Sequence, residues 1–78
     1  MSNNDQLLLD IFKVMYSEHS SKSRCHQSMS IKSKWGNDVS ALNSALNSLI
    51  ASGYLEDRTR LTGSYCLTDA GLQLMGIA

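Results

Sequence analysis

Residues 41–55 read ALNSALNSLIASGYL. Leu42, Leu46 and Leu49 recur at intervals of four and three, the period of an α-helix, while Ser and Asn fill most positions between them. Asp38 stands ahead of the run, where a carboxylate can accept a free backbone N–H, and Gly53 stands just past its end. The spacing predicts a helix over about 39–52. On a helical wheel Val39, Leu42, Ala45, Leu46, Leu49 and Ile50 share the core face. Ser40, Ser44, Asn47 and Ala51 lie opposite, with Asn43 and Ser48 at the flanks. The echo ALNS-ALNS is one helical turn repeating itself, not a repeat architecture.

Working outward, residues 29–36 (MSIKSKWG) predict a short helix over about 28–35. Ser28 is its candidate cap, Ile31 and Trp35 are four apart, and Gly36 suits the left-handed residue that ends a helix. Trp35 is expected to plug the core between these two helices; the other reading is an exposed aromatic anchor for a protein partner. Further upstream, QLLLDIFKVMY (6–16) sets Leu8, Ile11, Phe12 and Met15 on one stripe, with Leu7 and Val14 beside it. That gives a first helix over about 5–17, capped by Asn4 or Asp5. The Ser-rich segment 17–28 (SEHSSKSRCHQS) reads as a loop with a short extended piece near Arg24–His26. Downstream, YLEDRTRLTGSYCL (54–67) has two short extended runs around a Gly-containing turn, a β-hairpin. In it Tyr65 and Leu67 point to the core and Cys66 away from it. TDAGLQLMGIA (68–78) opens with a Thr68 cap and gives a short helix over about 69–76 carrying Leu72 and Met75.

A chain of 78 residues with 42% hydrophobic content suits a single globular domain of modest stability, on the order of 5 kcal/mol. Its apolar runs are too short to span a bilayer, so no membrane association is expected. The polar start MSNNDQ lacks the layout of a secretion signal. A cytoplasmic location is therefore expected, with Cys25 and Cys66 as free thiols. Cys25 and His26 are adjacent, and no further ligand follows at zinc spacing, so neither they, His19 nor Cys66 make a metal site. There is no CxxC, no G-x-S-x-G and no phosphate-cradling glycine loop. Neither an enzyme nor a cofactor is expected.

Seven Lys and Arg balance seven Asp and Glu, but the layout is uneven. No acidic residue lies between Glu18 and Asp38, whereas Lys22, Arg24, Lys32 and Lys34 do. Arg58 and Arg60 can join that group if the hairpin folds beside the second helix, with Glu56 and Asp57 partly cancelling Arg58. Six such cations could bind phosphate in a salt-dependent way. Otherwise they are ordinary solvated charges.

The fold class is α+β, mostly helical: three helices, a two-stranded hairpin and a short C-terminal helix, the order of a winged helix-turn-helix. From about Ile31 to Met75 the chain resembles transcription regulators of the MarR and PadR type. The points of resemblance are Trp35-Gly36, the Asp38 cap, LNSLIASGYLE (46–56) at the third-helix exit, and YCLTDAG (65–71) after the wing. The resemblance implies that residues 39–52 are a recognition helix lying in the major groove, with Ser40, Asn43, Ser44 and Asn47 facing base edges. It makes the turn 58–63 the wing, with Arg58 and Arg60 at the minor groove or phosphates, and sets Lys32 and Lys34 on backbone phosphate. The exposed face of the third helix, unlike that of most such regulators, carries no Lys or Arg.

Two functions follow as expectations. One is a small DNA-binding transcriptional regulator or accessory protein, of the size phages and plasmids encode, acting on double-stranded DNA as a homodimer. The other is a winged-helix protein–protein interaction module, such as a mobile-element protein inhibiting a host complex, in which the small Ser/Asn/Ala face packs closely on a partner and no DNA is bound.

Overall fold

The computed structural model describes residues 2–18, 22–36 and 38–77. His19, weighed above as a metal ligand, lies outside them. Helix α1 (Asn3–Glu18) buries Leu8, Phe12 and Met15 because positions i, i+4 and i+7 share a face, with Leu9 beside them. Its cap is Ser2, not Asn4 or Asp5: the Ser2 hydroxyl oxygen accepts the Asp5 N–H at 3.1 Å. Asp5 is only 7% exposed and has a different task.

Strand β1 (Cys25–Gln27) follows, then α2 (Ser28–Trp35) and α3 (Val39–Ala51). Ser28 does not cap α2; the residue at the cap is Gln27, which makes no side-chain cap bond. At the other end Gly36 takes the left-handed conformation (φ 61°), which lets its N–H reach the Lys32 carbonyl. Asp38 caps α3 by accepting the Ser40 N–H at 2.9 Å. Trp35 is buried, and its indole N–H donates to the Asp38 carbonyl at 2.9 Å, which ties the α2 exit to the α3 start. Leu42, Ala45, Leu46 and Leu49 form the buried face of α3. The wheel places Val39 on that face too, but this first residue of the helix is 42% exposed.

The hairpin is larger than a two-stranded wing with a turn. Strand β2 (Leu55–Arg58) runs into a one-turn helix, α4 (Thr59–Thr62), before β3 (Ser64–Leu67) returns. Strand β1 joins as well, giving a three-stranded antiparallel sheet in the order β1-β3-β2, with Cys25 opposite Cys66 and Leu55 opposite Leu67. This register overturns the free-thiol expectation: Cys25 and Cys66 form a disulfide. Cys66 lies on the sheet face opposite Tyr65 and Leu67, as strand alternation requires; it is buried there, outside the core cluster, with its bridge to Cys25 on that face.

Helix α5 (Asp69–Leu74) starts at Thr68, whose hydroxyl accepts the Gly71 N–H at 3.1 Å. Gly71 is needed there. A Cβ on it would meet the Tyr54 carbonyl oxygen at 2.4 Å, so α5 can lie this close to the α3 exit only without a side chain. The core is continuous, with α1 across α3 and α2, and with Leu55, Leu67, Leu72 and Met75 closing it from the sheet and α5. No helix among the described residues is long and apolar enough to cross a membrane.

Asp5 joins α1 to α3. Its carboxylate accepts the Ser48 hydroxyl at 2.6 Å, and this bond is the chief reason its pKa lies below the ordinary value; burial works the other way, and bonds from Ser2 reinforce the lowering. A lowered folded-state pKa favours the fold while Asp5 is ionised. That contribution is complete above the ordinary Asp value near 3.9 and is lost as pH falls through the lower folded value. Ser48→Ala is expected to cost roughly 1–3 kcal/mol at neutral pH. It should also flatten the loss of stability below about pH 4. Urea midpoints of the two proteins across that range test this, and parallel pH curves would refute it.

Candidate nucleic-acid interface

Ser40, Asn43, Ser44 and Asn47 are all exposed on the outer face of α3. Residues 40, 44 and 47 follow the i, i+4, i+7 rule, and Asn43 sits four before Asn47, so the four make one strip rather than a scatter. At about 1.5 Å per residue the strip is roughly 10 Å long. That matches about three base steps at 3.4 Å each. Asn can both donate to and accept from the N6/N7 edge of adenine, and Ser hydroxyls adapt to either role. Ser48, also exposed, is not part of the strip, because its hydroxyl donates to Asp5 on α1.

The start of α3 is already filled by the Asp38 carboxylate. The Asp38 carboxylate occupies the Ser40 N–H and its negative charge disfavours an anion at that end, so the cations on neighbouring elements are the better candidates for phosphate contact. Lys32 and Lys34 are exposed on α2, and Arg58 and Arg60 are exposed at the β2–α4 end of the hairpin. The backbone joins these two places: the Ser28 N–H at the start of α2 donates to the Gly63 carbonyl at the end of α4, at 3.0 Å.

Three of the six cations in the sequence patch are engaged within the chain. Arg24 pairs with Asp69. Lys34 pairs with Glu18 at 3.4 Å, with the two side chains 47% and 62% exposed. Lys22 donates to the Ser17 carbonyl. The Lys34–Glu18 pair is solvated and worth little, so a phosphate could draw Lys34 away. Lys32, Arg58 and Arg60 form no ion pair among the described residues.

Asp57 sits beside the two arginines, but its carboxylate is committed. It accepts the Thr59 N–H at 2.9 Å and the Thr59 hydroxyl at 2.7 Å. These bonds, and after them the charge of Arg60, hold its pKa below the ordinary value. Across the strand pair Asp57 faces Tyr65, whose phenol is pushed up first by burial and then by that negative charge. Neither group is poised for proton transfer near neutral pH. A second hollow, a cleft of about 490 Å³, lies between the α1 end, β1 and α2, lined by residues that include Glu18, Cys25, His26 and Lys34. With Cys25 oxidised, this cleft holds no thiolate for nucleophilic or metal chemistry. Among the described residues no cluster of three or more His, Cys, Asp or Glu could hold a metal ion.

The chain matches no protein-family model, no curated protein and no solved structure.

Proposed function

We propose that the protein is a winged-helix DNA-binding protein, a small transcriptional regulator or accessory factor that engages double-stranded DNA as a homodimer. The observation that carries this reading is the division of labour between two sets of exposed residues. A neutral strip of Ser40, Asn43, Ser44 and Asn47 offers hydrogen bonds suited to base edges, while Lys32, Arg58 and Arg60 offer exposed charge that makes no ion pair among the described residues. In this reading α3 enters the major groove, α2 lies over a phosphate run, and the β2–α4–β3 segment is the wing. A 10 Å strip reads only about three base pairs, and two copies across a two-fold axis double that.

Salt titration of binding to random-sequence duplex DNA tests the charge half of the reading. Each phosphate contact contributes about 0.9 to the slope of log affinity against log salt. The triple variant Lys32→Ala/Arg58→Ala/Arg60→Ala is expected to lower that slope by between two and three. Affinity near 0.1 M salt should fall on the order of a hundredfold, equally on every sequence. Absence of wild-type binding at about 50 mM salt would sink DNA binding altogether.

A protein–protein module is the second reading. It is favoured by the small, uncharged character of the α3 strip and by the internal neutralisation of Arg24 and Lys34. Small side chains allow a partner backbone to approach closely. Under this reading Asn43 and Asn47 variants disturb a complex whose affinity varies little with salt.

A further inference from the structure

Leu61 is 78% exposed at the outermost turn of the hairpin. Isolated surface leucines are common, and exposure alone signifies nothing. Leu61 differs in how it is held and in what flanks it. Helix α4 is fastened at both ends. Asp57 accepts from the Thr59 N–H and hydroxyl, the Thr62 hydroxyl donates to the Arg58 carbonyl, and the Gly63 N–H donates to the Thr59 carbonyl. The Gly63 carbonyl is anchored in turn by the Ser28 N–H. A turn closed by this many bonds cannot easily fold its leucine back against the sheet. Arg58 and Arg60, both exposed, precede it by three residues and one, and they border with it and Asp57 the same shallow cleft of about 470 Å³. The tip is an apolar point on a stiff mount that shares its cleft with two cations and one carboxylate.

We propose that Leu61 is a wedge that enters the minor groove of duplex DNA and partly unstacks a base step, with Arg58 and Arg60 on the phosphates beside it. The inference rests on the DNA-binding reading above and adds a mode of specificity to it. Apolar side chains inserted between base pairs kink the duplex, and arginines are drawn to the negative potential of narrow A·T-rich minor grooves. The deformation is least costly at flexible pyrimidine–purine steps, so a wedge at the hairpin tip selects TA and CA/TG steps that α3 does not touch. An anionic lipid surface would also attract such a tip. A lone leucine, however, buries much less than an acyl chain, and a single acyl chain already gives only marginal membrane binding. Glu56 and Asp57 repel a charged leaflet and DNA phosphate alike, but on DNA the wedge shares the load with α2 and α3.

The test uses a short duplex of alternating T and A with 2-aminopurine at several adenines and a fluorophore pair at its ends, at about 50 mM salt. Wild-type protein is expected to raise the 2-aminopurine fluorescence and shorten the end-to-end distance. Leu61→Ala is expected to keep the salt slope, bind about fivefold to tenfold more weakly, and lose both optical changes; Leu61→Phe is expected to retain them. Leu61 is exposed, so equal thermal melts of the three proteins should confirm that only the contact has changed. If Leu61→Ala binds and perturbs the duplex as wild type does, the wedge is refuted while DNA binding stands. Should wild type leave the duplex unbound, both fall. Leu61-dependent partitioning onto phosphatidylserine vesicles, in that case, would assign the tip to lipid instead.

Discussion

Removing the Cys25–Cys66 bridge, by reduction or by Cys25→Ala/Cys66→Ala, is expected to cost the fold roughly 2–4 kcal/mol. The two cysteines are 41 residues apart, and the loop they close contains α2, α3, β2 and α4. In the chain-entropy view the bridge stabilises by restricting the unfolded chain. The estimate for a loop of this length lies between about 3 and 4.7 kcal/mol before any native-state adjustment. For a 78-residue domain that is a large share of the total. With a urea slope of about 1 kcal/mol per molar, the midpoint should drop by two molar or more on reduction. Thiol titration of the untreated native protein should detect no free cysteine. A midpoint shift under about 0.5 M, with the bridge shown to be intact beforehand, would mean that the sheet register holds without it. Native-state hydrogen exchange adds a spatial readout. Protection should fall first in β1 and at the Leu67 N–H, which donates to the Arg24 carbonyl, before it falls in α1 and α3.

That bridge also shows where sequence reading stops. The helices announce themselves through local chemistry: the Asp38 and Thr68 caps, Gly36, and the leucine spacing of α3 all act within a few residues of one another. Strand β1 is legible only as the short extended piece near Arg24–His26, with nothing local to name its partner. Three residues are too few to show alternation, and Cys25 meets Cys66 only because β3 lies between β1 and β2. Helix α4 was read as a turn because Gly63 signals one, while the Asp57–Thr59 bonds that wind it are side-chain geometry. The candidate site divides in the same way. Exposure of Ser40, Asn43, Ser44 and Asn47 follows from helical period alone. Which cations are available does not, since Arg24 is neutralised by Asp69 across 45 residues and Lys34 by Glu18 across 16. Ser48 looked like its polar neighbours, and only the approach of α1 to α3 reveals it as the hydrogen-bond partner of the buried Asp5.

Phe12→Ala should have the largest effect of any single substitution, because Phe12 is fully buried and serves two parts of the fold. On α1 it fills the core beneath α3. Its ring also meets the His26 ring of β1 edge-on, with centroids 5.8 Å apart and planes at 63°. Truncating a buried phenylalanine costs about 3–5 kcal/mol through lost transfer energy and the cavity left behind. Against a total stability on the order of 5 kcal/mol, the variant should be largely unfolded near 37 °C. Phe12→Leu, which keeps most of the volume, should remain folded but melt lower, at about 4–8 °C for each kcal/mol lost. Phe12 and the disulfide hold the same short strand, so Phe12→Leu should not add simply to loss of the bridge. A double-mutant cycle in urea should give a coupling on the order of 0.5 kcal/mol or more. Strict additivity would show that β1 is held by the two contacts independently. The coupling bears on function because β1 leads directly into α2, whose first N–H is fixed to the hairpin through the Gly63 carbonyl. A β1 that comes loose lets Lys32 move relative to Arg58 and Arg60. On the DNA-binding reading proposed above, Phe12→Leu in the reduced protein should therefore lose DNA affinity under conditions where its helices are still formed.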